Sequence, residues 1–290
     1  MGLRTKFNLT LFIVFLIGLV LSGAASYRNV QQDVRDVVIQ NARIMRESAQ
    51  AIRDYTAQEI RPLLELQSSH QFLPHTVPSF AAQTNFRQLQ ESFPQYSYKE
   101  AALNPTNLND LANEWEAALI QGFIENPDLP EQIKVLDTEE GQILTLSRPI
   151  KVNQESCLKC HSTPDVAPAS MVAIYGTENG FGWKLGDVIG AQIVSVPMQV
   201  AQERAERVFL FFMANIVAVF VVVFLILNIA LHYLVIKRVV QISKAASDVS
   251  MGNFEAPEVQ TKSRDEIGSL AQSLNRLRRS LENAMKMIED

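Results

Sequence analysis

Residues 132–161 read QIKVLDTEEGQILTLSRPIKVNQESCLKCH. Residues 132–138 and 142–152 are rich in β-branched and aliphatic side chains. Glu139-Glu140-Gly141 between them carries a hairpin signal. Directly after the second expected strand comes Cys157-Leu158-Lys159-Cys160-His161. This is the C-x-x-C-H pattern by which a c-type haem is attached covalently. Each thiol adds across one vinyl group of the porphyrin, and the histidine beside the second cysteine coordinates the iron from one face. The chain has 2 cysteines, so this one site uses both. Two more strands are expected at 171–175 and 188–196, with Gly176, Gly180, Gly182 and Gly186 marking the turns. These strands follow a helical half, so the fold class is α+β with an antiparallel sheet. The motif then lies on a connection between strands.

The helical half begins with Val30, Val34, Val37, Ile44, Ala51 and Tyr55, which with polar Asn41 and Ser48 filling the gaps step by fours and threes along a seam reaching to about Leu66. Two readings stand side by side. Either a membrane helix continues outward and pairs with its copy in a dimer, or a long helix packs on the core of its own domain. A loop-rich stretch follows, broken by Pro74, Pro78, Pro94 and Pro105. Residues 109–124 read as another helix, with Leu111, Trp115, Ala118, Leu119 and Gly122 on one side.

Two apolar runs bracket this region. Residues 9–25, LTLFIVFLIGLVLSGAA, carry no charge. At ~1.5 Å per residue they reach across most of a ~30 Å hydrocarbon core. Residues 208–236 are longer and hold no ionisable group of basic or acidic type except His232. Arg4 and Lys6 precede the first run, and Lys237 and Arg238 follow the second. Positive flanks stay in the cytoplasm. The expected organisation is a cytoplasmic N-terminus with a first span over 1–26, an external domain over 27–207, a second span over 208–236 and a cytoplasmic tail over 237–290. The external domain is then periplasmic or lumenal, where haem is attached to such motifs. Ser22-Gly23-Ala24-Ala25 offers the small residues of a cleavage site, but the run exceeds the usual h-region of about 7–15 residues and is read as a retained anchor. The net charge of −5 and the absence of a basic stripe give no reason to expect nucleic acid.

The tail has its own periodicity. Val235, Val239, Ile242, Ala246 and Val249 form one heptad seam. Met251-Gly252-Asn253-Phe254 and Pro257 break it. Ile267, Leu270, Leu274, Leu277, Leu281, Ala284 and Ile288 form a second, opened by Asp265 and Glu266 where negative charge suits a helix N-terminus. Two short amphipathic helices cannot bury both seams alone; two chains can, as a parallel four-helix bundle. On these residues the tail resembles a HAMP linker, a helical bundle that is dimeric. Such linkers usually carry a proline near the start of the first helix, where this chain has Val239 or Val240.

The external segment resembles the Tll0287-like haem-binding domain family, found in bacterial sensors. The resemblance covers roughly residues 40–198. It rests on Thr76-Val77-Pro78-Ser79-Phe80-Ala81-Ala82, Asn104-Pro105-Thr106-Asn107, the motif at 157–161, Tyr175-Gly176, Gly180-Phe181-Gly182 and Gly186-Asp187. It implies a PAS-like sheet carrying one c-type haem in a bacterial inner membrane protein. Cys157 and Cys160 would be the thioether positions and His161 the proximal ligand.

Rival uses of the motif fare worse. A zinc site needs four ligands, and here one cysteine pair adjoins one histidine too closely for a tetrahedron. A thiol redox pair lacks a thioredoxin-like context. The second iron position has His75 as its distal candidate, in the proline-rich segment. The alternatives are His70, Met45, Met171, Met198 and an open site free to bind NO, CO or O2. The expected function is a sensor that responds to redox poise or a diatomic gas and is not an enzyme. It would relay through the HAMP tail to a separate output protein such as a histidine kinase, because no histidine follows His232. The alternative is a membrane-anchored cytochrome in electron transfer. A homodimer in the lipid bilayer is the expected assembly.

Overall fold

The computed structural model describes residues 1–68, 70–139, 141–254, 257–260 and 265–289. Glu140 of the expected turn and the side chain of Ile288 lie outside the described residues. The chain forms two compact units, Arg28–Val208 and the pair Met1–Tyr27 with Phe209–Asp290.

In the first unit the long helix α1 (Leu3–Tyr55) supplies its later turns and ends in a π-helical turn, Thr56–Ile60. Helix α2 (Pro78–Ser92) follows, then strand β1 (Ser97–Ala102) and helix α3 (Glu114–Glu125). Strands β2 (Gln132–Thr138) and β3 (Gly141–Lys151) form the expected hairpin. Two short helices, α4 (Leu158–His161) and α5 (Ala169–Tyr175), precede β4 (Val188–Pro197). The sheet is antiparallel throughout, in the order β1-β4-β3-β2.

Side chains alternate across a strand, so the sheet has two faces. Leu144, Leu146, Val194 and Val196 pack against Val34, Val38, Ala42 and Ala49 of α1 and against Ala82 and Phe86 of α2. Ala101, Ala191 and Ile193 pack on the other face against Ile120 and Phe123 of α3. The expected seam of α1 is therefore divided. Val34 faces the core, whereas Val37, Ile44 and Tyr55 are 50%, 56% and 60% exposed.

Several expectations need correction. Residues 171–175 form a helix and not a strand: Pro168 sets its start and Gly176, at φ 78°, its end. A short apolar run is ambiguous by pattern alone. Met171 is buried and Tyr175, one helical turn on, is half-buried, while Ala173 and Ile174 between them are exposed. Pro78 starts α2 instead of breaking a helix, because the first helical position needs no N–H. Helix α3 begins at Glu114, after a 3₁₀ turn at Leu108–Asp110, with Asn113 as its cap. Strand β1 was hidden by Lys99 and Glu100. Glu100 is buried, pairs with Arg53 of α1 and accepts a 2.7 Å hydrogen bond from the Tyr98 hydroxyl. Burial and that carboxylate push the Tyr98 phenol up.

In the second unit α1 runs antiparallel to helix α6 (Gln199–Leu231): Phe15 stacks on Phe220 at 4.7 Å, and Tyr27 meets Phe209 edge-on at 6.0 Å. Both helices are long and apolar enough to cross a membrane. His232–Ile236 forms a π-helical turn before helix α7 (Lys237–Ser250), and Val239 and Val240, where such linkers carry a proline, lie within α7. Gly252 reverses the chain at φ 83°. Helix α8 (Glu266–Glu289) is capped by Asp265, whose Oδ1 accepts from the Gly268 N–H at 2.9 Å. Asn275 of α8 clamps the connector with two hydrogen bonds to the Val259 backbone, at 3.0 and 3.1 Å.

Candidate functional site

The chain leaves β3 at Lys151 and makes a 3₁₀ turn, Glu155–Cys157, that runs into α4. Cys157, Cys160 and His161 therefore sit within two helical turns, and all three are half-buried. Both cysteines are free thiols. Burial pushes the Cys160 thiol up, and the Arg61 guanidinium pulls partly against it.

His161 is held from several sides. Its Nδ1 lies 2.8 Å from the Gly180 carbonyl oxygen. Two lone pairs cannot face each other at that distance, so Nδ1 carries the proton and donates it. The Nε2 lone pair is left free, which is the form a metal requires. The Thr106 hydroxyl lies 3.4 Å from the same Nδ1. The indole of Trp183 stacks on the imidazole at 3.8 Å and 10°, and the Trp183 backbone N–H donates to the His161 carbonyl at 3.2 Å. Burial lowers the His161 pKa, opposed in part by the Gly180 hydrogen bond.

Gly180 has φ 82°, and an added Cβ would come within 2.8 Å of the Thr106 Cα. Its N–H donates to Asn104 Oδ1 at 3.2 Å. Gly180 is thus required both by its left-handed backbone and by the close approach of the 104–106 segment. The residue pattern around 104–107 and 180–182 hinted at this place. Nothing local in the sequence pointed to Trp183.

The other candidates are dispersed. His75 is exposed, meets Phe80 edge-on at 5.5 Å and lines a cleft of about 470 Å³ with Tyr55, Thr56 and Ile60. The π turn of α1 forms one wall of that cleft, and such turns recur at functional sites. Arg61, next to the cleft, donates to the Thr76 carbonyl at 3.4 Å and also acts electrostatically on Cys160, so the His75 segment and the motif share one cation. Met171 is buried, Met198 belongs to the core, Met45 packs against it, and His70 is exposed. Among the described residues no three His, Cys, Asp or Glu side chains converge on a metal position. Two free thiols beside a histidine with Nε2 unengaged fit a covalently held haem and do not make a tetrahedral zinc site.

The fold, an α+β domain flanked in sequence by two helices long and apolar enough to cross a membrane and followed by a helical tail, fits a membrane protein. The sequence profile described as Tll0287-like matches residues 31–197, and the HAMP domain profile matches residues 230–283. The chain belongs to the Tll0287-like family and carries a HAMP domain. Among solved structures, the cyanobacterial haem protein Tll0287 is similar at 19% identity and a TM-score of 0.44, over 55% of this chain and 94% of its own. No curated protein matches.

Proposed function

We propose that the chain is a membrane-bound c-type haem sensor and signal transducer, with Cys157 and Cys160 as thioether anchors and His161 as the axial ligand. The observation that carries this is the His161 tautomer: Nδ1 is spent on the Gly180 carbonyl, beside two free thiols. When bound, the haem supplies an iron that changes charge on oxidation or ligand field on gas binding. The protein supplies the fixed imidazole, the half-buried setting and a chain connection at each end of the domain to an apolar helix. His75 is the candidate for the second axial position, with NO, CO or O2 at an open position as the alternative. The haem domain lies in the periplasm or lumen and both termini in the cytoplasm. The antiparallel α1–α6 pair and the positive flanks Arg4, Lys6, Lys237 and Arg238 support this reading. The sensor has no catalytic step of its own. It works as a homodimer and passes its state through the HAMP domain to a separate output protein such as a histidine kinase. A signal shifts such an equilibrium only if it interacts differently with the two states.

The test is a pyridine haemochrome spectrum of the denatured full-length chain, produced with a cytochrome c maturation system. A c-type spectrum is expected for the wild type and none for the Cys157→Ser/Cys160→Ser variant. No covalent haem in the wild type would refute the reading. Adding CO to the reduced protein then reports the second position: a shifted Soret band means an open or displaceable site, and no shift means a firmly held protein ligand.

A further inference from the structure

Around His161 the structure places residues that the motif itself does not contain. The Gly180 carbonyl takes the Nδ1 proton at 2.8 Å, and the Thr106 hydroxyl stands 3.4 Å from the same nitrogen. Since Nδ1 is the donor, Thr106 Oγ1 is the second, longer acceptor. The Gly180 backbone is itself pinned, its N–H on Asn104 Oδ1 at 3.2 Å and its Cα against the Thr106 backbone. Asn104 and Thr106 follow directly on β1, whereas Gly180 belongs to the turn before β4. Two segments far apart in sequence thus meet at one imidazole nitrogen. Trp183, from the second segment, closes one ring face.

We propose that Asn104 and Thr106 are positioning residues for His161. Together they hold its ring as the Nδ1–H tautomer, in one orientation, with a defined share of negative charge drawn toward Nε2. This rests on the haem reading of the preceding subsection. Acceptors at Nδ1 make an imidazole a stronger donor through Nε2. A stronger donor favours ferric over ferrous iron, so the acceptors hold the reduction potential down. Thr106 acts directly, as an acceptor. Asn104 acts through Gly180, by keeping that carbonyl aimed at Nδ1. A role confined to packing would leave the potential unmoved when the hydroxyl alone is exchanged for a methyl group.

The experiment compares the full-length wild type with Thr106→Val, Thr106→Ser and Asn104→Ala. Haem content is read by pyridine haemochrome and midpoint potential by spectroelectrochemical titration. Covalent haem is expected in all four. Thr106→Val and Asn104→Ala raise the potential, Asn104→Ala by about 59 mV or more, a tenfold change in a one-electron equilibrium. Thr106→Ser restores the hydroxyl and the wild-type value. Equal potentials in all four, or equal shifts in the Val and Ser variants, would overturn the proposal while leaving the haem reading intact. The same proteins without haem, labelled with 15N-histidine and studied at pH 8, give an independent readout. The wild type should show His161 as the Nδ1–H tautomer, and Asn104→Ala a mixture of tautomers. A wild type that attaches no haem but shows the Nδ1–H tautomer would refute the haem reading alone. A wild-type Nε2–H tautomer would overturn the positioning role whatever the haem content.

Discussion

At the scale of single residues, charge pairs in the α+β unit do different work according to burial. Glu131, ahead of β2, accepts from Arg43 Nη2 at 3.1 Å and from Arg148 Nη2 and Nε at 2.9 and 3.1 Å. It ties α1 to the hairpin. Burial works against its charge, but the hydrogen bonds from Arg43 and Arg148 outweigh it and hold the carboxyl below its ordinary value. A depressed carboxylate pKa stabilises the fold above the unfolded value and loses that stabilisation as pH falls through the folded one. Glu131→Gln should therefore cost about 1 kcal/mol at pH 7, a figure kept low because Arg43 is largely solvated. The deficit should shrink as the pH is taken below about 4.5, the ordinary glutamate value. Urea denaturation at several pH values checks this; a deficit independent of pH would mean that packing and not charge is lost.

At the scale of elements, the helix ends show how local chemistry sets boundaries that periodicity leaves loose. The Asn113 side chain accepts from the Glu116 N–H at 3.0 Å, and the Glu116 carboxylate accepts from the Asn113 N–H at 2.8 Å. Two of the orphan donors at the start of α3 are thereby satisfied. Asn113→Ala should cost about 1 kcal/mol. Helix α3 is the main cover of its sheet face through Ile120 and Phe123, so the loss should appear as a lower melting temperature of the whole domain. A local change in helicity with an unmoved midpoint would show that α3 frays on its own. The reading of residues 109–124 as one helix missed this cap, because Asn109 and Asp110 further upstream look equally able to start a helix. The structure uses them in a separate 3₁₀ turn, where the Asn107 side chain accepts from the Asn109 N–H at 3.1 Å.

At the scale of the whole molecule, unburied apolar seams argue for assembly. In the HAMP helices Ile242, Val249 and Ala271 are buried within the chain, while Leu270, Leu277 and Leu281 are 52%, 55% and 40% exposed. Leucines at heptad spacing on one side of α8 are costly to leave in water, at about 25 cal/mol per Å². The proposed homodimer removes them from it. Leu277→Glu would put like charges at that seam. The expectation is a dimer for the wild type and a monomer for the variant, by light scattering in detergent. A monomeric wild type, or a dimer in both, would count against assembly through α8.

Sequence by itself determined what is encoded within a few residues or by a simple period. The two apolar runs, the hairpin around Gly141, the Cys157–His161 motif and the HAMP seams with Asp265 at the second are of this kind, since neighbours along the chain suffice to define them. Tertiary structure decided what depends on partners distant in sequence. Strand β1 exists because β4 offers it a ladder and Arg53 neutralises Glu100. The side of α1 that faces the core was chosen by the sheet, against the heptad reading of Val37 and Ile44. The histidine of the motif was legible at once, but its surroundings were not. Thr106 reaches His161 from the segment after β1, which pairs with β4, and Gly180 and Trp183 reach it because the turn before β4 folds back on α4; a hydrogen bond formed across 55 or 19 residues leaves no periodic trace in the chain that makes it.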